Sequence, residues 1–298
     1  MSESIWTRRD ILQRSAFAAG FIAVPGVLTA CSKTSTGQTG GRLAQLKQAG
    51  TITVGIAGEE PYAYLAGGKL TGEEPEVHKV IWKNLGIDNV KATQVDFDSL
   101  IPGLIAKRFD VVAAGMFVTP KRCAQAAFSE PIYCAPDAFL VKTGNPAHLS
   151  DFKSVATAGV KLAVFGGAVE GTYARENGVK DSNVIEVGSA RDGLLQVQQG
   201  RVAALGLTTI TLNNLLKKNP TGGVEVTKPF TPVVNGKEQH GCGAAVFRKE
   251  DSELREAFNG ELAKLKASGR LTEIIKPFGF GPETLPPKDM TTAQLCQG

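Results

Sequence analysis

The chain has 298 residues, 42% of them apolar and 21% charged, with 33 basic and 29 acidic side chains and a net charge of +4. That balance excludes a disordered or fibrous chain, and with no basic run of five or more there is no footprint for a nucleic acid. Three histidines and five cysteines, without C-x-x-C or H-x-x-x-H, leave little to hold a metal, so neither a metal nor a cofactor is expected.

Residues 15–30 carry no charge, yet 16 residues broken by Gly20, Pro25 and Gly26 are too short for a membrane span. Thr7-Arg8-Arg9-Asp10-Ile11-Leu12 before this stretch resembles a twin-arginine export address, and Leu28-Thr29-Ala30-Cys31 at its end resembles a bacterial lipobox. The resemblance implies that 1–30 is an export signal removed before Cys31, whose thiol is then acylated. Residues 31–44 would carry the lipid on a flexible tether. Loss of Arg8, Arg9, Arg14, Glu3 and Asp10 leaves 30 basic and 27 acidic residues, a net +3. The expected location is the extracytoplasmic face of the bacterial cell membrane, anchored rather than spanning.

In chain order, Thr51–Ala57 is predicted to be a strand. Pro75–Leu85 follows as a helix with Val77, Val80, Ile81 and Leu85 on one face and Gly86 as its stop. Lys91–Phe97 is a second strand, Asp98 caps a helix carrying Leu100, Leu104 and Ile105, and Val111–Gly115 is a buried strand. The rhythm then repeats: strand Lys161–Phe165, helix Val169–Asn177 stopped by Gly178, strand Asn183–Gly188, a helix Ser189–Gln198 capped by its serine, and strand Val202–Leu207. A helix through Leu212, Leu215 and Leu216 closes the second unit.

Two apolar strands, Ala138–Val141 and Cys242–Phe247, bracket this second unit and are expected to be the paired crossings of a hinge. Beyond them, Leu254, Phe258, Leu262 and Leu265 have the spacing of one buried helix face and should pack back on the first unit. The expected organisation is a first lobe at 45–135, a second at 136–245, and a return to the first lobe with a tail at 246–298. Two such α/β lobes on a hinge make a clamp, with ligands at the carboxyl ends of the strands.

Several segments are recognisable. Thr53-Val54-Gly55-Ile56 leading to Glu59-Glu60-Pro61-Tyr62, Asp98-Ser99-Leu100-Ile101-Pro102-Gly103-Leu104, Phe109-Asp110-Val111-Val112-Ala113-Ala114-Gly115-Met116, and Thr119-Pro120-Lys121-Arg122 with Phe128-Ser129-Glu130-Pro131 resemble the polar amino-acid-type solute-binding proteins of ABC importers. The resemblance runs from about residue 45 to 280. It implies the two-lobed periplasmic-binding-protein (Venus flytrap) fold, no catalytic residues, an ABC permease as partner, and a monomer. Within the family, Glu59-Glu60-Pro61-Tyr62, Ala114-Gly115-Met116-Phe117 and Thr119-Pro120-Lys121-Arg122-Cys123 are most similar to the ectoine- and hydroxyectoine-binding branch.

The resemblance assigns the ligand's carboxylate to Arg122, whose guanidinium offers a planar fork of donors. Thr119 and the backbone at Gly115 to Phe117 would lie beside the same anion. From the second lobe, Gly167 and Ala168 belong to a strand-to-helix turn whose amides would face it. Where amino-acid binders of the family carry an aspartate for the ligand's ammonium, this chain has Thr208. The cation would fall instead to the faces of Tyr62, Phe97 and Phe117 and to Glu59, an arrangement suited to a delocalised cyclic amidinium and hence to a small zwitterion such as ectoine. A polar amino acid, or an enzyme on the same scaffold with Glu59 as its acid or base, are the competing readings.

Cys134 and Cys242 lie on the two expected crossings and are the pair expected to be near each other, with free thiols and other pairings with Cys123 and Cys296 left open. His78, His148 and His240 are expected at the surface.

Overall fold

A computed structural model describes residues 41–297 apart from Thr221; the twin-arginine segment, the lipobox and Cys31 lie outside the described residues. The chain opens with α1 (Arg42–Ala49) and β1 (Thr51–Ile56), followed by a hairpin of β2 (Tyr64–Ala66) and β3 (Lys69–Thr71). Then come α2 (Glu73–Asn84), β4 (Asn89–Gln94), α3 (Leu100–Ile105), β5 (Val111–Val112), a single turn α4 (Pro120–Cys123), β6 (Ala127–Phe128) and β7 (Tyr133–Cys134). The central part holds β8 (Asp137–Lys142), α5 (Phe152–Ala158), β9 (Leu162–Phe165), α6 (Val169–Glu176), β10 (Val184–Val187), α7 (Ala190–Gln198), β11 (Ala204–Thr208), α8 (Thr209–Lys218) and β12 (Val224–Val226). The return consists of a hairpin β13 (Val233–Val234) and β14 (Lys237–Glu238), then β15 (Cys242–Gly243), β16 (Val246–Phe247), α9 (Ser252–Ala267), α10 (Arg270–Ile275) and α11 (Thr292–Leu295).

Two five-stranded sheets organise the lobes. The first has the order β4-β1-β5-β16-β6 and the second β10-β9-β11-β8-β12. β1 is parallel to β4 and β5, while β16 enters late and antiparallel between β5 and β6. In the second sheet β9 is parallel to β10 and β11, and β8 runs antiparallel to β11 with Thr208 opposite Asp137. The strands are covered on both faces, as βα crossovers require. On the first sheet, α2 and α9 bury Val77, Ile81, Trp82, Leu254, Phe258, Leu262 and Leu265 on one side, and α3 with Leu100, Leu104 and Phe109 covers the other. The four apolar positions of α9 share one buried face, which packs on the first lobe as their spacing predicted.

Several expectations are corrected. The hinge is one step away from where the apolar runs placed it. β8 is an interior strand of the second sheet, and Cys242–Phe247 breaks into β15 and β16. The crossing is the two-stranded ladder of β7 and β15, where Cys134 faces Cys242. These two cysteines are disulfide-bonded, and Cys123 is bonded to Cys296 in the tail. Asp98 does not cap α3; it lies in a 3₁₀ turn over 97–99, and no side chain caps the helix. Ile105 is 53% exposed rather than in the core. β5 ends at Val112, well before Gly115, whose φ of +65° is outside the strand region. His78 is fully buried between Trp82 and Phe258, and burial pushes its pKa down to about 3. Its position one turn before Trp82 on the core face of α2 explains this, since the indole N–H donates to His78 Nδ1 at 3.2 Å. No described helix is long and apolar enough to cross a membrane.

Candidate functional site

The cleft is built where β1, β5 and the segment after it meet the ends of β9 and β11. Glu59, Tyr62, Phe97, Gly115, Phe117 and Arg122 line it from the first lobe, and Ala168 and Thr208 from the second. Eight of the ten expected ligand-binding residues therefore share one surface. Thr119 does not: its hydroxyl caps α4 by accepting the backbone N–H of Arg122, and it lines a separate cavity beside α11. Gly167 reaches the site through its carbonyl rather than its amide.

Arg122 is 9% exposed and is fixed by its own short helix. Pro120 at the first position and Thr119 at the cap preform a turn too short to persist alone. The guanidinium donates from Nη1 to the Phe117 carbonyl at 2.8 Å and from Nη2, across the cleft, to the Gly167 carbonyl at 3.1 Å. Its carbon lies 5.4 Å from the centre of the Phe97 ring. Phe97 thus stacks on the arginine, at the same end of the site rather than the opposite one. Burial lowers the arginine's pKa, opposed by the nearby Glu170 carboxylate.

A run of hydroxyls joins the lobes. Thr211 Oγ1 donates to Glu59 at 2.7 Å, Thr208 Oγ1 donates to Thr211 Oγ1 at 3.2 Å, and Tyr62 Oη lies 2.9 Å from Thr208 Oγ1. Each hydroxyl has one proton, so Tyr62 is the donor to Thr208 and the relay ends on the Glu59 carboxylate. Thr208, read as the place of a missing aspartate, also caps α8 by accepting the Thr211 N–H. At the rim, Lys218 pairs with Glu60 and lies over the Tyr64 ring. A cavity of about 30 Å³ remains among the cleft-lining residues.

Pattern reading missed Tyr133, Phe165, Glu170 and Thr211. Tyr133 donates to the Gly115 carbonyl at 2.8 Å and stacks against Tyr62, with ring centres 5.2 Å apart. Glu170, 4% exposed, sits in the first turn of α6. Its helix position was legible, but its approach to Arg122 depends on how two lobes face each other. Burial raises its pKa to about 7, while its own backbone N–H and Arg122 act in the opposite sense. Glu59 rises to about 8, mainly by burial, offset by the Thr211 hydrogen bond and reinforced by Glu170. Beside Glu59 and Phe97 opens a second chamber of about 290 Å³ lined by Asp96, Asp98 and Glu186.

Two α/β lobes, a double crossing between them and a buried guanidinium at their junction define a clamp for a small anionic or zwitterionic solute. Residues 52–282 match the bacterial extracellular solute-binding proteins, family 3, and the chain belongs to that family. A probable amino-acid ABC transporter periplasmic-binding protein of Sinorhizobium fredii is 35% identical over 259 residues, covering 85% of each chain. Among solved structures, EhuB in complex with hydroxyectoine superposes with a TM-score of 0.79 at 39% identity, over 86% of this chain and 97% of that one. An ancestral arginine-binding protein bound to arginine gives 0.68 at 29% identity, over 78% and 99%. The chain is thus a solute-binding protein of the ABC-importer class, and its family and these relatives are binding proteins rather than enzymes.

Proposed function

We propose that this protein is the extracytoplasmic receptor of an ABC importer for ectoine and hydroxyectoine, held at the membrane by a lipid on Cys31, and that it acts by closing its lobes on the solute and presenting the closed form to the permease. The observation that carries the ligand reading is the meeting, in one cleft, of Arg122 with Glu59, Tyr62, Phe97 and Phe117. Arg122, with Phe97 stacked on it, offers a guanidinium for a carboxylate, and Glu59 with the faces of Tyr62 and Phe117 offers a carboxyl and aromatic surface for a delocalised ring cation, so the cleft matches the two ends of such a zwitterion. The hydroxyectoine complex of the related EhuB supports it. Thr208 in place of an acid argues against an ordinary α-amino acid.

A basic amino acid is the second reading, favoured by the chamber lined by Asp96, Asp98 and Glu186, which would receive a cationic side chain. Calorimetric titration with ectoine, hydroxyectoine, glycine betaine, arginine and glutamine separates the two. Tighter binding of arginine than of hydroxyectoine would overturn the first. Arg122→Ala is expected to weaken binding of the preferred solute by about 2–5 kcal/mol, the range for removing one partner of a buried charge pair. An unchanged affinity in that variant refutes the role of Arg122. Mass spectrometry of the native N-terminal peptide tests the lipid: an unmodified thiol at Cys31 removes the anchor.

A further inference from the structure

Arg122 rides on a helix that cannot hold it unaided. α4 is one turn of four residues, well below the length at which a helix persists in water. Nor is it backed by close packing everywhere. A cavity of about 270 Å³ is lined by Val118, Thr119 and Pro120 at the entry to α4 and by Asp289, Met290 and Leu295 of the C-terminal tail. One position after the arginine, Cys123 is bonded to Cys296, just past the end of α11 and 173 residues away in sequence. Both cysteines and Leu295 are half-buried against the apolar cluster that includes Val118 and Ala126. α11 is itself seated on the chain after β6: the Thr292 hydroxyl donates to the Ser129 carbonyl, and the Thr292 N–H donates to Glu130 at 3.2 Å. The other end of the α4 turn has an exposed contact, from the Lys249 ammonium to the Ala124 carbonyl.

We propose that the Cys123–Cys296 disulfide is a positioning element for solute recognition: it ties α4 to the seated tail and so holds the Arg122 guanidinium in the orientation that receives the solute's carboxylate. This rests on the reading of the cleft given above, in which Arg122 takes the anionic end. The physical reason is that a guanidinium fork is directional, so its two donors meet a carboxylate only when the backbone beneath them keeps its place. A single turn beside a cavity has room to shift, and a recognition group whose support is loose loses affinity. With the bond closed, α4 is ordered before the solute arrives. With the bond open, that ordering falls on the binding step and weakens it. The bond acts from outside the cleft, since the Arg122 donors go to the Phe117 and Gly167 carbonyls and not to the tail.

The test is a cycle of four full chains: wild type, Cys123→Ser with Cys296→Ser, Arg122→Lys, and the three substitutions together. Each is titrated calorimetrically, well below its melting temperature, with whichever of hydroxyectoine and arginine wild type binds more tightly. Removing the disulfide is expected to weaken binding about tenfold when Arg122 is present. In the Arg122→Lys background the loss is expected to be less than about twofold, because an ammonium is a point charge with no fork to orient. An equal loss in both backgrounds, which a disulfide that only stabilises the fold would give, overturns the inference, as does no loss beside Arg122. Where the serine variant does not fold or the lysine variant binds too weakly to read, reduction of the wild-type disulfide replaces the cycle. In mixtures of reduced and oxidised dithiothreitol, with thiols trapped and read by mass spectrometry, saturating solute is expected to shift the reduction of Cys123–Cys296 by the same tenfold, since linkage is reciprocal. A midpoint that the solute does not move overturns the inference. Arg122→Ala reports on the underlying reading separately. Wild-type affinity in that variant removes the carboxylate anchor and the positioning role with it, whereas lost binding there beside unchanged binding in the serine variant refutes the positioning role alone. A wild type that binds neither solute overturns both.

Discussion

At Gly167 two requirements coincide: φ is +75°, and a Cβ there would lie 2.7 Å from the Asp98 Cβ on the facing lobe. The first disfavours any L side chain, and the second would wedge the clamp open. Gly167→Ala is expected to weaken solute binding by about tenfold, with about 1 kcal/mol of stability lost to the strained backbone. Gly166→Ala is the control, because its Cβ would meet nothing nearer than Glu186 Oε2 at 3.8 Å. Calorimetry that finds the two variants equal in affinity refutes the wedge. Site residues were legible in the sequence where a motif carried them, as with Arg122 after Thr119-Pro120-Lys121. They were invisible where only the closing of one lobe on another brings them in, as with Glu170 and Thr211. Thr119 shows the converse: a residue adjacent to the motif whose hydroxyl is committed to capping the helix that holds Arg122.

Among the elements, α9 was readable from its apolar spacing because one face meets one sheet. The hinge was not, because a two-residue ladder has no periodicity to read, and apolar strands such as β8 look alike whether they cross between lobes or lie inside a sheet. The short α5, with its Asp151–Ser154 capping box, was also absent from the sequence reading. The Cys134–Cys242 bond fastens the ladder of β7 and β15 and closes a loop with a sequence separation of 108 residues. Replacing both cysteines by serine is expected to destabilise the protein by about 2–4 kcal/mol, chiefly by freeing the unfolded chain. Denaturant melts that place the variant within error of the parent refute that contribution.

At the scale of the whole molecule, several of the described acids are deeply buried. Glu73 and Glu74 open α2 fully buried, and neither carboxyl oxygen of Glu73 has a hydrogen-bond partner among the described residues. Burial pushes Glu74 up to about 8, countered in part by the Gly115 and Ala114 backbone, and pushes Glu73 up as well, with Glu74 adding to it. Because the folded pKa exceeds that of the unfolded chain, the folded form binds more protons, and the stability these groups favour is full below about 4.5 and lost as pH rises through about 8. Buried His78, lowered to about 3, acts oppositely, its contribution present above about 6.5 and lost on acidification. A comparison of variants isolates the acid: Glu74→Gln is expected to raise the melting temperature at pH 8 relative to the parent, with a smaller difference at pH 5. A difference that does not change with pH would refute it. The alternation of short strands and helices made the two-lobe plan legible, whereas buried acids at a helix start look in sequence like an ordinary favourable first turn. The order of strands carries a last consequence. Every strand of the second sheet comes from residues 137–226, whereas β5 and β6 of the first are joined only by β16 at Val246–Phe247. A nascent chain can therefore complete its inserted half alone, while the half that begins first must wait for an interior strand and finishes last.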